Sequence, residues 1–100
     1  MLLSSTELSE QLSRLNGWDV VEGELQKTYR LDTFPEAIQF VHLVADLAES
    51  LDHHPNILIE YRNVTLTVST HDEGGITEKD IMLATGCDEI VYPVHDVRLW

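Results

Sequence analysis

Between Asn56 and His71 the chain reads NILIEYRNVTLTVSTH, with apolar residues on alternate positions either side of Arg62-Asn63. Alternation with period two is the pattern of a strand that buries one face. Two such runs around a short polar interruption fold back as an antiparallel hairpin. With Arg62-Asn63 as a two-residue turn, Tyr61 faces Val64, Ile59 faces Leu66 and Ile57 faces Val68, which makes one apolar face. The other face pairs Glu60 with Thr65, Leu58 with Thr67 and Asn56 with Ser69. A three-residue loop would set apolar against polar residues, because a one-residue slip turns every side chain over. Two steps further along this ladder His54 faces His71, with Cβ atoms roughly 5 Å apart.

The apolar face requires a cover, and residues 35–51 supply it. Pro35 suits a first helical position. Phe34, Ile38, Val41, Ala45 and Ala48 form one apolar stripe, widened by Ala37, Phe40, Val44, Leu47 and Leu51. A helix apolar over so wide an arc lies across a sheet. Upstream, residues 4–15 have helical spacing at Leu8, Leu12 and Leu15, a capping box at Ser4 and Glu7, and a stop at Asn16-Gly17. Short strands over about 18–22 and 25–31 flank a Gly23-Glu24 turn, a register that sets Trp18 opposite Tyr29. After the loop HDEGG a last helix starts at Thr77, with Thr77 and Asp80 at capping-box spacing, and runs to about Ala84 or beyond. The order α-β-β-α-β-β-α, with tight turns between adjacent strands, defines an α+β fold: a two-layer domain with helices on one face of an antiparallel sheet. No linker or repeat divides residues 1–100, so they read as a single domain, with about 90–100 as an unassigned tail.

Composition removes several classes of function. Six basic residues against eighteen acidic ones give a net charge of −12, a field that repels phosphate backbones and argues against direct nucleic-acid binding. Cys87 is the only cysteine, so no internal disulfide forms, and packing is its expected role. The start, MLLSSTELSE, lacks the basic-then-apolar pattern of a signal peptide, and no stretch is long enough to span a membrane. A cytoplasmic protein is expected.

Five histidines remain to be explained. His42 lies within the long helix and is expected to be structural, and His95 in the tail incidental. His53 and His54 close that helix, and Pro55 forces His54 into an extended conformation that suits the approach to His71. One histidine at a helix C-terminus is ordinary, since its cationic form suits the dipole. Two adjacent ones meeting a third across a hairpin point to a site. Zinc is one occupant for imidazoles, but neither HExxH nor CxxC spacing is present. Acid–base chemistry is the other: imidazole titrates near neutral pH, so one ring can donate a proton while another accepts one. Glu49, Asp52, Asp72, Glu73 and Asp80 surround these histidines in sequence and could orient the rings.

The segments ESLDHHPNILIEY and TVSTHDEGGITEKD resemble the pterin-4a-carbinolamine dehydratases, also called 4a-hydroxytetrahydrobiopterin dehydratases. Glu49, His53, His54, Pro55, Tyr61, His71 and Asp80 fill that family's pattern at matching spacing, and the resemblance extends from about Trp18 to Ala84. It implies a helix-backed, four-stranded antiparallel sheet, a dimer or tetramer, and no metal or organic cofactor. It implies dehydration of 4a-hydroxytetrahydropterin to quinonoid dihydropterin, with the substrate supplied by pterin-dependent aromatic amino-acid hydroxylases. By resemblance, His53 and His71 are the acid–base pair and His54 binds and polarises the pterin. Asp52, Pro55, Ser69, Thr70, Asp72 and Glu73 bind substrate, while Glu49 and Asp80 support the histidines. Two departures stand out: Ile57 replaces an aromatic residue, and Thr85-Gly86 is expected to interrupt the last helix. The same fold serves some relatives as a non-enzymatic dimerisation partner of transcription factors, which is the rival reading; a metal-dependent hydrolase ranks third.

Overall fold

The structure is a computed structural model that describes residues 1–97, with side chains as far as residue 90. The elements follow in the order α1 (Ser5–Ser13), β1 (Asp19–Val21), β2 (Glu24–Arg30), α2 (Phe34–Leu51), β3 (Asn56–Glu60), β4 (Asn63–Val68) and α3 (Glu78–Val97), with a 3-10 turn at His71–Glu73. The strands form one antiparallel sheet ordered β1-β2-β4-β3, so β2 and β4 are central and β1 and β3 are edges.

The alternation read from the sequence separates the two faces. Leu25 and Tyr29 of β2 and Val64, Leu66 and Val68 of β4 are buried beneath the helices. On the open face, Thr28 and Thr65 share a hydroxyl hydrogen bond of 2.8 Å, and Gln26 Nε2 donates to Thr67 Oγ1 at 3.1 Å. From above, α2 inserts Ala37, Phe40, Val44 and Ala48, and α3 inserts Ile81, Leu83, Ala84 and Cys87. Each large side chain buried this way contributes roughly 1.5–3 kcal/mol. Of the first stripe on α2 only Ala48 is fully buried, with Phe34 and Ile38 46% and 44% exposed, whereas Ala37, Phe40 and Val44 of the second are all buried.

Both hairpins are set two residues away from the registers expected. Glu60 pairs with Asn63, Ile59 with Val64 and Ile57 with Leu66, so Tyr61-Arg62 is the turn rather than Arg62-Asn63. Asn63 is drawn into the sheet by its pairing with Arg30 of β2. Likewise Val21 pairs with Glu24, which makes Glu22-Gly23 the turn in place of Gly23-Glu24. Tyr61 and Glu22 adopt φ of 55° and 51°, and Gly23 a φ of 81° that costs glycine little. A shift of two residues leaves every side chain on its own face, so the hydrophobic pattern is blind to it. Trp18 is therefore not directly opposite Tyr29. It precedes β1 and meets Tyr29 edge-on, with ring centroids 6.2 Å apart.

The last helix passes through Thr85-Gly86 without the expected interruption. Thr85 turns its hydroxyl back to Ile81 O at 2.9 Å, and a Cβ on Gly86 would come within 2.7 Å of Leu47 Cδ2, so the glycine permits close packing of α3 on α2. The segment left unassigned from the sequence is helical as far as Val97; the His95 side chain and residues 98–100 lie outside the described residues. A second contact fixes α3 to the sheet. The Asp88 carboxylate accepts from Lys27 Nζ at 2.8 Å, from Trp18 Nε1 at 3.2 Å and from the Tyr29 hydroxyl. Burial, reinforced by Asp88, pushes the Tyr29 hydroxyl far above its ordinary range and the Cys87 thiol up to about 12.

Candidate active site

The site forms where the end of α2, the end of β4 and the first turn of α3 converge. Asp52 closes α2 in the left-handed conformation, with φ 51° and ψ 44°. The His53 N–H then donates to Ala48 O at 3.0 Å, the six-to-one bond of a left-handed helix end. Pro55 follows and prevents the helix from resuming. This abrupt exit sends the two adjacent histidines to different carboxylates. His53 reaches across to α3, with Nε2 2.6 Å from Asp80 Oδ1, and its side chain is only 11% exposed. His54 folds back over α2, with Nε2 2.6 Å from Glu49 Oε1, in a pair whose side chains are 54% and 78% exposed.

Asp80 is fully buried and accepts from several donors. Its Oδ2 takes the Thr77 N–H and the Thr70 hydroxyl, both at 2.8 Å. Because the Thr70 proton is used there, the 2.7 Å contact between the two threonine oxygens is donated by Thr77. Thr77 Oγ1 in turn accepts from Lys79 N at 3.2 Å, so of the capping box expected from Thr77 and Asp80 only the bond from Thr77 N–H to the Asp80 carboxylate forms. The aspartate thus serves two purposes: it caps α3 and holds His53. With Asp80 acting as acceptor, His53 donates from Nε2, which leaves Nδ1 without a partner among the described residues.

His71 arrives by another route than the one expected. The β3–β4 ladder ends at Asn56 and Thr67, so His54 precedes the strand and does not face His71 across it. Instead Thr70 bridges to Gly75, its N–H donating to Gly75 O at 2.7 Å, and the chain winds through the 3-10 turn that begins at His71. His71 is exposed and has no side-chain hydrogen bond among the described residues. The three histidines nevertheless line one cavity of about 340 Å³, together with Asp52, Ser69, Thr70, Asp72 and Lys79.

Of the residues expected to bind substrate, Asp52, Ser69, Thr70 and Asp72 line that cavity, while Pro55 and Glu73 do not. Glu73 pairs instead with the amino terminus of Met1. Glu49 and Asp80, expected to support the histidines, contact His54 and His53 respectively. Lys79 was missed. The available signal was its position beside Asp80 in the first turn of a helix that follows the histidine loop. Among the described residues no cluster of three or more His, Cys, Asp or Glu side chains is arranged to hold a metal ion, and no helix is long and apolar enough to cross a membrane.

Fold and site together define a helix-backed sheet with a histidine-lined cavity at one end, and the chain is similar in fold and sequence to known proteins. A solved structure from Brucella melitensis, described as a transcriptional coactivator/pterin dehydratase, superposes with a TM-score of 0.87 at 35% identity, over 90% of this chain and 98% of that one. A Herpetosiphon aurantiacus protein with the provisional name pterin-4-alpha-carbinolamine dehydratase is 52% identical over 89 residues, 89% of this chain and 93% of its own length. A Sulfolobus acidocaldarius protein of the same provisional name is 38% identical over 90 residues, 90% of this chain and 99% of its own. Residues 1–90 match the family pattern described as pterin 4 alpha carbinolamine dehydratase, and the chain belongs to that family.

Proposed function

We propose that this chain is a hydro-lyase converting 4a-hydroxytetrahydropterin to quinonoid dihydropterin, and so recycles the pterin cofactor of aromatic amino-acid hydroxylases. One observation carries the reading: three imidazoles line a single cavity, and one of them is held by a buried carboxylate while another is uncommitted. The substrate is a carbinolamine, with hydroxyl and nitrogen on the same carbon. Protonation of the 4a-hydroxyl lets the C4a–O bond break to release water. The N5 lone pair forms the C4a=N5 bond, and loss of the N5 proton completes the reaction. A donor and an acceptor are needed at once, and two imidazoles in opposite protonation states provide them. His53 and His71 are that pair, His54 polarises the ring, and Asp52, Ser69, Thr70 and Asp72 contact its polar edges. Asp80 and Glu49 orient His53 and His54. This chemistry calls for no metal or organic cofactor. The proposed enzyme works in the cytoplasm as a homodimer or homotetramer.

A second reading, a non-enzymatic assembly module, draws on the coactivator half of the Brucella protein's description and on exposed apolar residues such as Phe34, Ile38 and Leu58. Dehydration of chemically generated 4a-hydroxytetrahydropterin separates the two. Wild type is expected to accelerate it well beyond the spontaneous rate, and His71→Ala to lose about 100-fold or more with an unchanged melting temperature. A folded wild-type protein that gives no acceleration would leave the assembly module as the surviving reading.

A further inference from the structure

Three cavities meet at the histidines. The central one, of about 340 Å³, is flanked on one side by a cavity of about 290 Å³ that shares Ser69 and His71 with it and is walled by Glu22 and Glu24. On the other side a cavity of about 210 Å³ shares His53 and Lys79 and is completed by Leu51 and Met82. The last is smaller than the roughly 300–1,000 Å³ of a free-standing ligand site. With half its lining in common with the central cavity, it is an annex to it.

Lys79 is the one lysine or arginine lining these three cavities among the described residues. Its backbone is fixed by the bond from its N–H to Thr77, while its ammonium makes no ion pair or hydrogen bond among the described residues. Asp52 and Asp72 line the same cavity, yet the lysine pairs with neither. In a chain of net charge −12, most of the surface repels an anion, and this point on the cavity wall is an exception. The two annexes are therefore of opposite character, one carboxylate-walled, the other apolar with a single cation.

We infer that the substrate is a pterin whose ring substituent ends in an anionic group, a carboxylate or a phosphate, that pairs with Lys79. The inference rests on the dehydratase reading for the ring itself. The ring occupies the central cavity with its amino and N–H donors towards Glu22 and Glu24. The stem of the substituent passes between Leu51 and Met82. Glu22 and Glu24 would repel the anion from the opposite annex, so the charge distribution fixes the orientation of the ring as well as the class of the tail.

The test compares ligands that differ in tail charge, by fluorescence titration of wild type, Lys79→Met and Lys79→Arg. The probes are 7,8-dihydroneopterin, its monophosphate and 7,8-dihydrofolate. Wild type is expected to bind one or both anionic ligands roughly fivefold more tightly than dihydroneopterin, a preference that shrinks as salt is raised. Lys79→Met should bring that ratio to one, and Lys79→Arg should keep it. Preference for the monophosphate alone identifies a phosphate, and for dihydrofolate alone a carboxylate. Equal binding of neutral and anionic ligands, or a ratio that survives in Lys79→Met, overturns the inference. If dihydroneopterin binds and the 4a-hydroxy substrate is dehydrated while the ratio is one, only this inference falls. If no pterin binds at all, the dehydratase reading falls with it.

Discussion

Asp80 and Asp88 stand on the same helix, about 12 Å apart along its axis. Each collects three donors: Asp80 from His53, Thr70 and Thr77, Asp88 from Trp18, Lys27 and Tyr29. Their partners differ in kind. Around Asp88, burial and then the carboxylate itself push the Tyr29 hydroxyl and the Cys87 thiol upward, away from neutral pH. One of the groups on Asp80 is an imidazole, the side-chain type that exchanges a proton near neutral pH, and it borders a cavity. Burial and hydrogen bonding alone therefore do not distinguish the two carboxylates. What sets Asp80 apart is that it holds a side chain bordering the histidine cavity.

The largest expected effect is that of Asp80→Asn on turnover. An amide cannot accept from all three donors or balance a charged imidazole, so dehydration should fall about 100-fold. Stability should fall as well, by about 2 kcal/mol for the donors left unpaired, and steady-state rates alongside urea denaturation separate the two losses. Asp88→Asn should show the reverse, a loss of about 2–3 kcal/mol in the same denaturation with kcat within about twofold of wild type. A folded Asp88→Asn protein without activity would break the division between the two aspartates.

The effect that is smallest at neutral pH emerges only in alkali. The Cys87 thiol has an ordinary value of 9.0 and is pushed up to about 12 by burial first and Asp88 second. Below pH 9 both folded and unfolded chains hold this proton, and its contribution to stability is constant. As pH rises towards 12 only the unfolded chain releases it, so the unfolded state binds fewer protons and stability declines. Tyr29, raised from 10.0, acts in the same sense. Urea midpoints should therefore drop as pH climbs past about 9, with a shallower slope in Asp88→Asn.

The legible part of this molecule is whatever depends on which face a residue occupies. Val64, Leu66 and Val68 alternate with Thr65 and Thr67, and Phe40 and Val44 recur at helical spacing, because contact with water imposes those periods. Register escaped because Tyr61 and Glu22, which carry the positive φ of the turns, are not residues that announce a turn. His53, His54 and His71 line one cavity, but loop geometry and not the expected ladder brings them together. The Asp88 contacts were beyond reach: Trp18 and Asp88 lie 70 positions apart, and no local pattern links them.

Asp52 has a consequence for selection. Its left-handed backbone costs an L-residue roughly 1–2 kcal/mol that glycine would not incur. A screen for thermal endurance alone would favour glycine there, and in doing so would strip a carboxylate from the wall of the histidine cavity. Thermal stability and the charge of the cavity wall therefore pull in opposite directions at this one position, where the exit from α2 is made.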